Sequence, residues 1–262
     1  MKQNFFDHLD GGWGDVISDT YKENAGFIAE PQEVNGIQCI YMEQYKNDTR
    51  LNGTVIIPKG VKKLYFGAFM GCPLLTVIFP STLTGITGSV FAECTNLKTV
   101  IFNEGLLSID IKAFNKCESL KDISLPDSLI YIGDDAFSYT SLETIKFPKN
   151  LKIIRYNAFN ECNLQGNLIL PEKLEVIGQF AFANNRKLNG TLKLPLNLDH
   201  IAMYAFSGCN FTGELRIPPS VDFIGTKAFA KCKFTTIYVK AEQAKKWPED
   251  WNNECSAEII YY

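Results

Sequence analysis

Eight cysteines, two histidines and scattered carboxylates are the groups in this chain able to hold a metal, attack a carbonyl or move a proton. A structural zinc site needs pairs of Cys or His a few residues apart, so that four ligands converge on one ion. Here the closest two cysteines are 22 residues apart, and the only histidines are His8 and His200. A hydrolytic triad needs a nucleophile beside a histidine that a third group orients. His200, in Leu198-Asp199-His200-Ile201, occupies a position that kindred segments fill with Tyr131 or Phe223, so it reads as a surface side chain. Asp134-Asp135 and Glu249-Asp250 are adjacent in sequence, whereas glycosidic acid–base work needs two carboxyls facing across a cleft. No phosphate-binding loop or dinucleotide fingerprint occurs. The expectation is a chain that is not an enzyme, with no catalytic residue, metal or cofactor.

The cysteines belong to a larger pattern. Phe69, Phe91, Phe114, Phe137, Phe159, Phe182, Phe206 and Phe229 recur at intervals of 22 to 24 residues, and all but Phe91 follow Ala. Cys72, Cys94, Cys117, Cys162, Cys209 and Cys232 each lie three residues after one of these rings, with Thr140 and Asn185 in the remaining two repeats. A residue that returns once per repeat stacks into a column, and small apolar Cys suits a tight interior turn. Neighbouring coils lie roughly 5 Å apart, while an unstrained disulfide wants β-carbons about 3.8 Å apart. The six are therefore expected to be free and buried. Cys39 and Cys255 fall outside the ladder.

The full frame is clearest at Leu120-x-x-Ile123-x-Leu125-Pro126-x-x-Leu129-x-x-Ile132-Gly133-x-x-Ala136-Phe137. Self-similarity at this period, built on Leu-x-x-Leu-x-Leu, marks a leucine-rich-repeat solenoid. Each coil reads as a short strand, a turn, a second extended piece and a helical turn carrying Ala-Phe. Proline directly after the strand fixes φ and removes a donor, which ends the ladder at Pro80, Pro126, Pro148, Pro171, Pro195 and Pro218. The spacing predicts an α/β repeat solenoid of about eight coils, a parallel β-sheet on one face and short helical turns on the other.

Three segments are expected. Residues 1–50 break the period, hold Phe5, Phe6, Trp13, Tyr21, Phe27, Tyr41 and Tyr45, and carry a hairpin signal at Val34-Asn35-Gly36-Ile37, so they read as an N-terminal cap. Residues 51–240 form the solenoid. Residues 241–262 read as a C-terminal cap, helical from Ala241 toward Pro248, with Trp247 and Trp251 over the last coil.

A net charge of −3 and a pI near 5.6 disfavour nucleic acid and anionic membranes as partners. No apolar run reaches the length needed to span a bilayer. Met1–Asp10 lacks the long apolar stretch of a signal peptide, which points to the cytoplasm.

The strand face is where function could be written. One outward column reads Thr54, Thr76, Thr99, Asp122, Thr144, Asn167, Thr191, Glu214 and Thr236, and its threonines suit a pleated surface. The next reads Ile56, Ile78, Ile101, Ser124, Lys146, Ile169, Lys193, Arg216 and Tyr238, apolar at its start, basic and aromatic at its end. Exposed apolar area of this kind marks contact sites. Cover by the N-terminal cap, or β-propensity alone, accounts for the isoleucines equally simply. Ile78, Ile101, Lys146, Ile169, Lys193, Arg216 and Tyr238 are the candidate partner-binding residues.

The frame Leu-x-x-Ile-x-Leu-Pro-x-x-Leu-x-x-Ile-Gly-x-x-Ala-Phe-x-x-Cys, over residues 51–240, resembles the BspA-like (treponemal-type) leucine-rich repeats. Asn35-Gly36-Ile37-Gln38-Cys39-Ile40-Tyr41 before the first coil and Ile237-Tyr238-Val239 after the last look like that class as well. The resemblance implies a bacterial cell-surface or secreted module that adheres to a protein or glycan, host-derived ligands included. It carries over no catalytic residues. The alternative from a different class is a structural or assembly spacer that interacts through its caps.

Overall fold

The computed structural model describes residues 26–262. Each coil lends a short strand to two parallel ladders. The first begins at Phe27–Ile28 and continues through Thr54–Ile56, Thr76–Ile78 and Thr99–Ile101. At mid-length it thins to a single bridge between Ser124 and Lys146. It resumes as Leu168–Ile169 with Leu192–Lys193, then Thr212–Arg216, Lys233–Val239 and Glu258–Tyr261. The second ladder is seven-stranded and unbroken, from Gly85–Ile86 to Phe223–Ile224. Pairing joins equal repeat positions one coil apart, as in Ile56 to Ile78 to Ile101. Before the first full coil, Gln32–Val34 and Ile37–Ile40 pair antiparallel around Asn35 and Gly36, both at positive φ.

The arc that carries Ala-Phe is not helical, and this overturns the α/β coil expected from the sequence. The molecule is a parallel β-solenoid of strands and turns, and among the described residues only Ala241–Ala244 is α-helix. The hydrogen bonds explain why. At Phe69, the N–H groups of Ala68, Met70 and Cys72 donate three residues back, to the carbonyls of Tyr65, Gly67 and Phe69. The alternate N–H groups, of Gly67, Phe69 and Gly71, donate to Gly88, Val90 and Ala92 of the next coil. An α-helix spends every N–H on a carbonyl four residues back in its own chain. It would leave no N–H of this arc to tie one coil to the next.

The alternation needs two left-handed residues per coil, four apart. They are Gly67 and Gly71 at φ 64° and 70°, Lys112 and Lys116 at 56° and 59°, Phe180 and Asn184 at 56° and 63°. Left-handed backbone costs a residue with a β-carbon roughly 1–2 kcal/mol. Bulky Phe180 and Tyr204 meet that cost where their rings stack at 4.9 Å and 2°.

The core is one column of rings. From Phe69 to Phe229 the eight phenylalanines are fully buried and stack in succession, with centroids 5.3–5.7 Å apart and planes within 8°. Tyr45 extends the column at 5.1 Å from Phe69, and Trp251 closes it edge-on at 6.2 Å from Phe229. These two positions bring the solenoid to about ten turns.

The C-terminal helix spans only Ala241–Ala244, and residues 250–254 continue the stack instead. The carbonyls of Asp250, Trp251 and Glu254 accept the N–H groups of Lys227, Ala228 and Lys231 in the last repeat.

Beside the rings runs the cysteine column, free and buried. Each thiol donates to a ring residue's carbonyl one coil earlier: Cys94 to Phe69 at 3.1 Å, Cys117 to Phe91 at 3.2 Å, Cys209 to Phe182 at 3.2 Å. Asn185 does the same, its Nδ2 donating to Phe159 O at 2.8 Å and to Phe182 O at 2.9 Å. Thr140 instead bonds Phe137 O of its own coil and sits 3.2 Å from Cys162 Sγ. Backbone packs on backbone where the second ladder ends. A β-carbon on Gly178 would lie 2.5 Å from Arg155 C, and one on Gly225 2.4 Å from Met203 N.

Candidate binding face

The first ladder positions its outward side chains by alternation alone. In each strand the middle residue enters the core, as Val77, Leu168 and Leu192 do, and its neighbours face away from it. The seven candidate residues all lie in one column, but their surroundings differ along it. Ile78 is enclosed, at 2% exposure, and Ile56 before it equally so. Ile101 is half-buried. From Ser124 onward the column opens: Lys146, Ile169, Lys193 and Arg216 are exposed, and Ile169 at 78% is the most exposed large apolar side chain among the described residues. The aromatic residues Phe5, Phe6, Trp13 and Tyr21 assigned to the N-terminal cap lie outside the described residues.

The cations on this face are not alike. The Arg216 guanidinium lies 4.0 Å over the Tyr238 ring and 3.4 Å from Glu214 Oε2, while the Tyr238 hydroxyl donates to Glu214 Oε1 at 3.3 Å. This three-residue cluster holds Arg216 in one orientation. Lys146 and Lys193 form no ion pair among the described residues. Lys146 acts on Asp127 at longer range: Lys149 holds that carboxyl below its usual range, chiefly through its hydrogen bond, and Lys146 adds a small push the same way.

Two grooves open beside these lysines. One, of about 420 Å³, is lined by Lys146, Phe147, Asn167, Ile169 and Pro171. The other, of about 440 Å³, is lined by Lys193, Leu196, Glu214, Arg216, Pro219 and Tyr262. Leu196 and Tyr262 escaped the sequence reading. Leu196 is 71% exposed, at the position after the repeat proline where other coils carry Ser81, Asp127, Lys149, Glu172 or Pro219. A large apolar side chain among mostly polar ones was the readable signal. Tyr262 lies beyond the last repeat, so no series marked it.

The groups singled out for chemistry stay apart. His200 stacks on Phe223 at 4.6 Å in the second ladder, and its ring makes no hydrogen bond among the described residues. Burial pushes the thiols up, Cys72 to about 11 and Cys162 to about 12, so they stay protonated at neutral pH. Among the described residues no three of His, Cys, Asp or Glu converge as a metal would need, and no helix is long and apolar enough to cross a membrane.

A model of the "BspA type Leucine rich repeat region" matches residues 38–165 and 133–257. No curated protein matches the chain. Among solved structures, a leucine-rich repeat protein from Bacteroides ovatus superposes with a TM-score of 0.59 at 20% identity, over 91% of this chain and 68% of that one. The leucine-rich repeat protein of T. pallidum gives 0.50 at 22%, over 84% and 88%. At these identities the likeness is one of fold. The repeat match, spanning most of the chain, places it by sequence: it belongs to the BspA type leucine-rich repeat family.

Proposed function

We propose that the protein is an extracellular or cell-surface adhesion module that binds a protein or glycan along the open part of its first ladder. The observation that carries this reading is the change along one column. Ile56 and Ile78 are enclosed, whereas Lys146, Ile169, Lys193 and Arg216 stand open with grooves beside them. Ile101 and Ile169 supply dry contact, and Ile78 marks where the contact ends. Lys146, Lys193 and Arg216 attract an acidic partner. Tyr238, amphipathic and held by Arg216, is the anchor.

A single rim charge in water contributes little, but the summed field steers encounter. Changing Lys146, Lys193 and Arg216 together to Glu is expected to slow association with the partner and to flatten its salt dependence. Adhesion to a panel of matrix proteins and glycans, wild type against triple variant, tests the reading. Equal binding by both would move the contact off this face and onto the caps, as a spacer protein requires.

A further inference from the structure

The open column has a period of its own. Lys146 and Lys193, which form no ion pair among the described residues, stand two coils apart, and the coil between them presents Ile169, which pairs directly with Lys193 in the ladder. The next cation, Arg216, is taken by Glu214 and Tyr238 and falls outside this period. The grooves beside Lys146 and Lys193 share most repeat positions, but where the first presents Ile169 the second presents Arg216, and its exposed apolar side chain is Leu196, three residues after Lys193. At a strand spacing of about 4.8 Å, two coils span roughly 10 Å along the axis.

That spacing discriminates between polymers. A peptide held as a β-strand presents side chains to one side about every 6.8 Å, which does not match a lysine pair two coils apart. An extended, β-linked polysaccharide repeats by disaccharide over a length close to two coils. If alternate sugars are acidic, successive carboxylates meet Lys146 and Lys193 while the intervening neutral ring lays its C–H face on Ile169. Each groove also falls in the volume range of small-ligand sites, roughly 300–1,000 Å³, which suits single sugar rings rather than a folded domain. We infer that the face from Lys146 to Lys193 binds a linear polysaccharide carrying one acidic group per disaccharide, laid along the solenoid axis. This rests on the adhesion reading above and names its ligand class.

Calorimetric titration of the full chain with hyaluronan oligosaccharides, one carboxylate per disaccharide, tests it. Affinity should rise steeply from disaccharide to tetrasaccharide, the first length that reaches both lysines. Lys146→Gln and Lys193→Gln should each weaken the tetrasaccharide roughly threefold, and together roughly tenfold, as expected of two exposed charge contacts. Both side chains are exposed, so circular dichroism of the variants should match wild type. Binding to a bacterial capsular polymer of alternating glucuronate and glucose supports the same chemistry from a microbial source. Equal affinity for neutral chitin oligosaccharides, no loss in the double variant, or tighter binding of a polyglutamate peptide would overturn the inference. Should the triple Glu variant lose adhesion to the panel while no acidic oligosaccharide binds, the ligand class fails and the adhesive face stands.

Discussion

The ring and the thiol are the residues this solenoid is built around. Phe137 lies between Phe114 and Phe159 at 5.4 and 5.3 Å. Coils tied by backbone bonds on both sides cannot close a gap, so Phe137→Ala is expected to cost about 3–5 kcal/mol, read as a lowered midpoint in urea denaturation. The thiols give a pH signature. Their pKa values are raised in the folded protein from the ordinary 9.0, to about 11 at Cys72 and about 12 at Cys162. Above pH 9 the unfolded chain releases those protons and the folded one keeps them, so stability is complete below 9 and falls as pH rises toward 11 and 12. Thermal unfolding followed from pH 7 to 11 should show a midpoint that holds and then declines. Thiol titration of native protein at pH 8 should find the ladder unreactive until denaturant is added.

Single elements show where sequence periodicity is informative and where it misleads. Strand positions and columns were legible because alternation and the repeat proline fix them locally: Ile56, Ile78 and Ile101 do pair in sequence order. The Ala-Phe arc was not. Ala136-Phe137 with Thr140 three residues on has the i, i+3 spacing of a helix, and in a coil of β-turns the same spacing marks i→i−3 bonds. What separates them is left-handed backbone at Asp135 and Tyr139, residues that announce no such conformation. Groove-lining Tyr262 was illegible for another reason, since its neighbours come from coils far away in sequence. The turns also fix where glycine is compulsory. Gly178→Ala would press a methyl group against Arg155 backbone at 2.5 Å. Because backbone on both sides must shift, it is expected to cost about 1–3 kcal/mol, against a near-neutral result for Gly53→Ala, which meets nothing within 4 Å. Paired denaturation curves of the two variants check this.

Across the whole molecule, one hydrophobic column runs from Tyr45 to Trp251 without a break, while the face beside it changes from enclosed to open. The core and the proposed contact therefore lie on different sides of the same strands. The triple change of Lys146, Lys193 and Arg216 to Glu should leave the urea midpoint within about 0.5 kcal/mol of wild type, as for other surface substitutions, and still weaken adhesion. A variant that lost both would place those side chains in the fold rather than in the contact.

Alternate backbone N–H groups of the Ala-Phe arc bond from coil to coil, so those amides are guarded by the neighbouring coil and not by their own segment. Opening one of them means lifting off every coil between it and the nearer end. Stability of this nearest-neighbour kind makes amide hydrogen exchange a measure of distance from the ends. The N–H of Phe137, bonded to Ala158 O, should exchange last, and those of Tyr45 and Lys231 among the first. The protein would then carry in its exchange rates a map of its own axis, with the slowest protons in the coil of Ser124, where the open face begins.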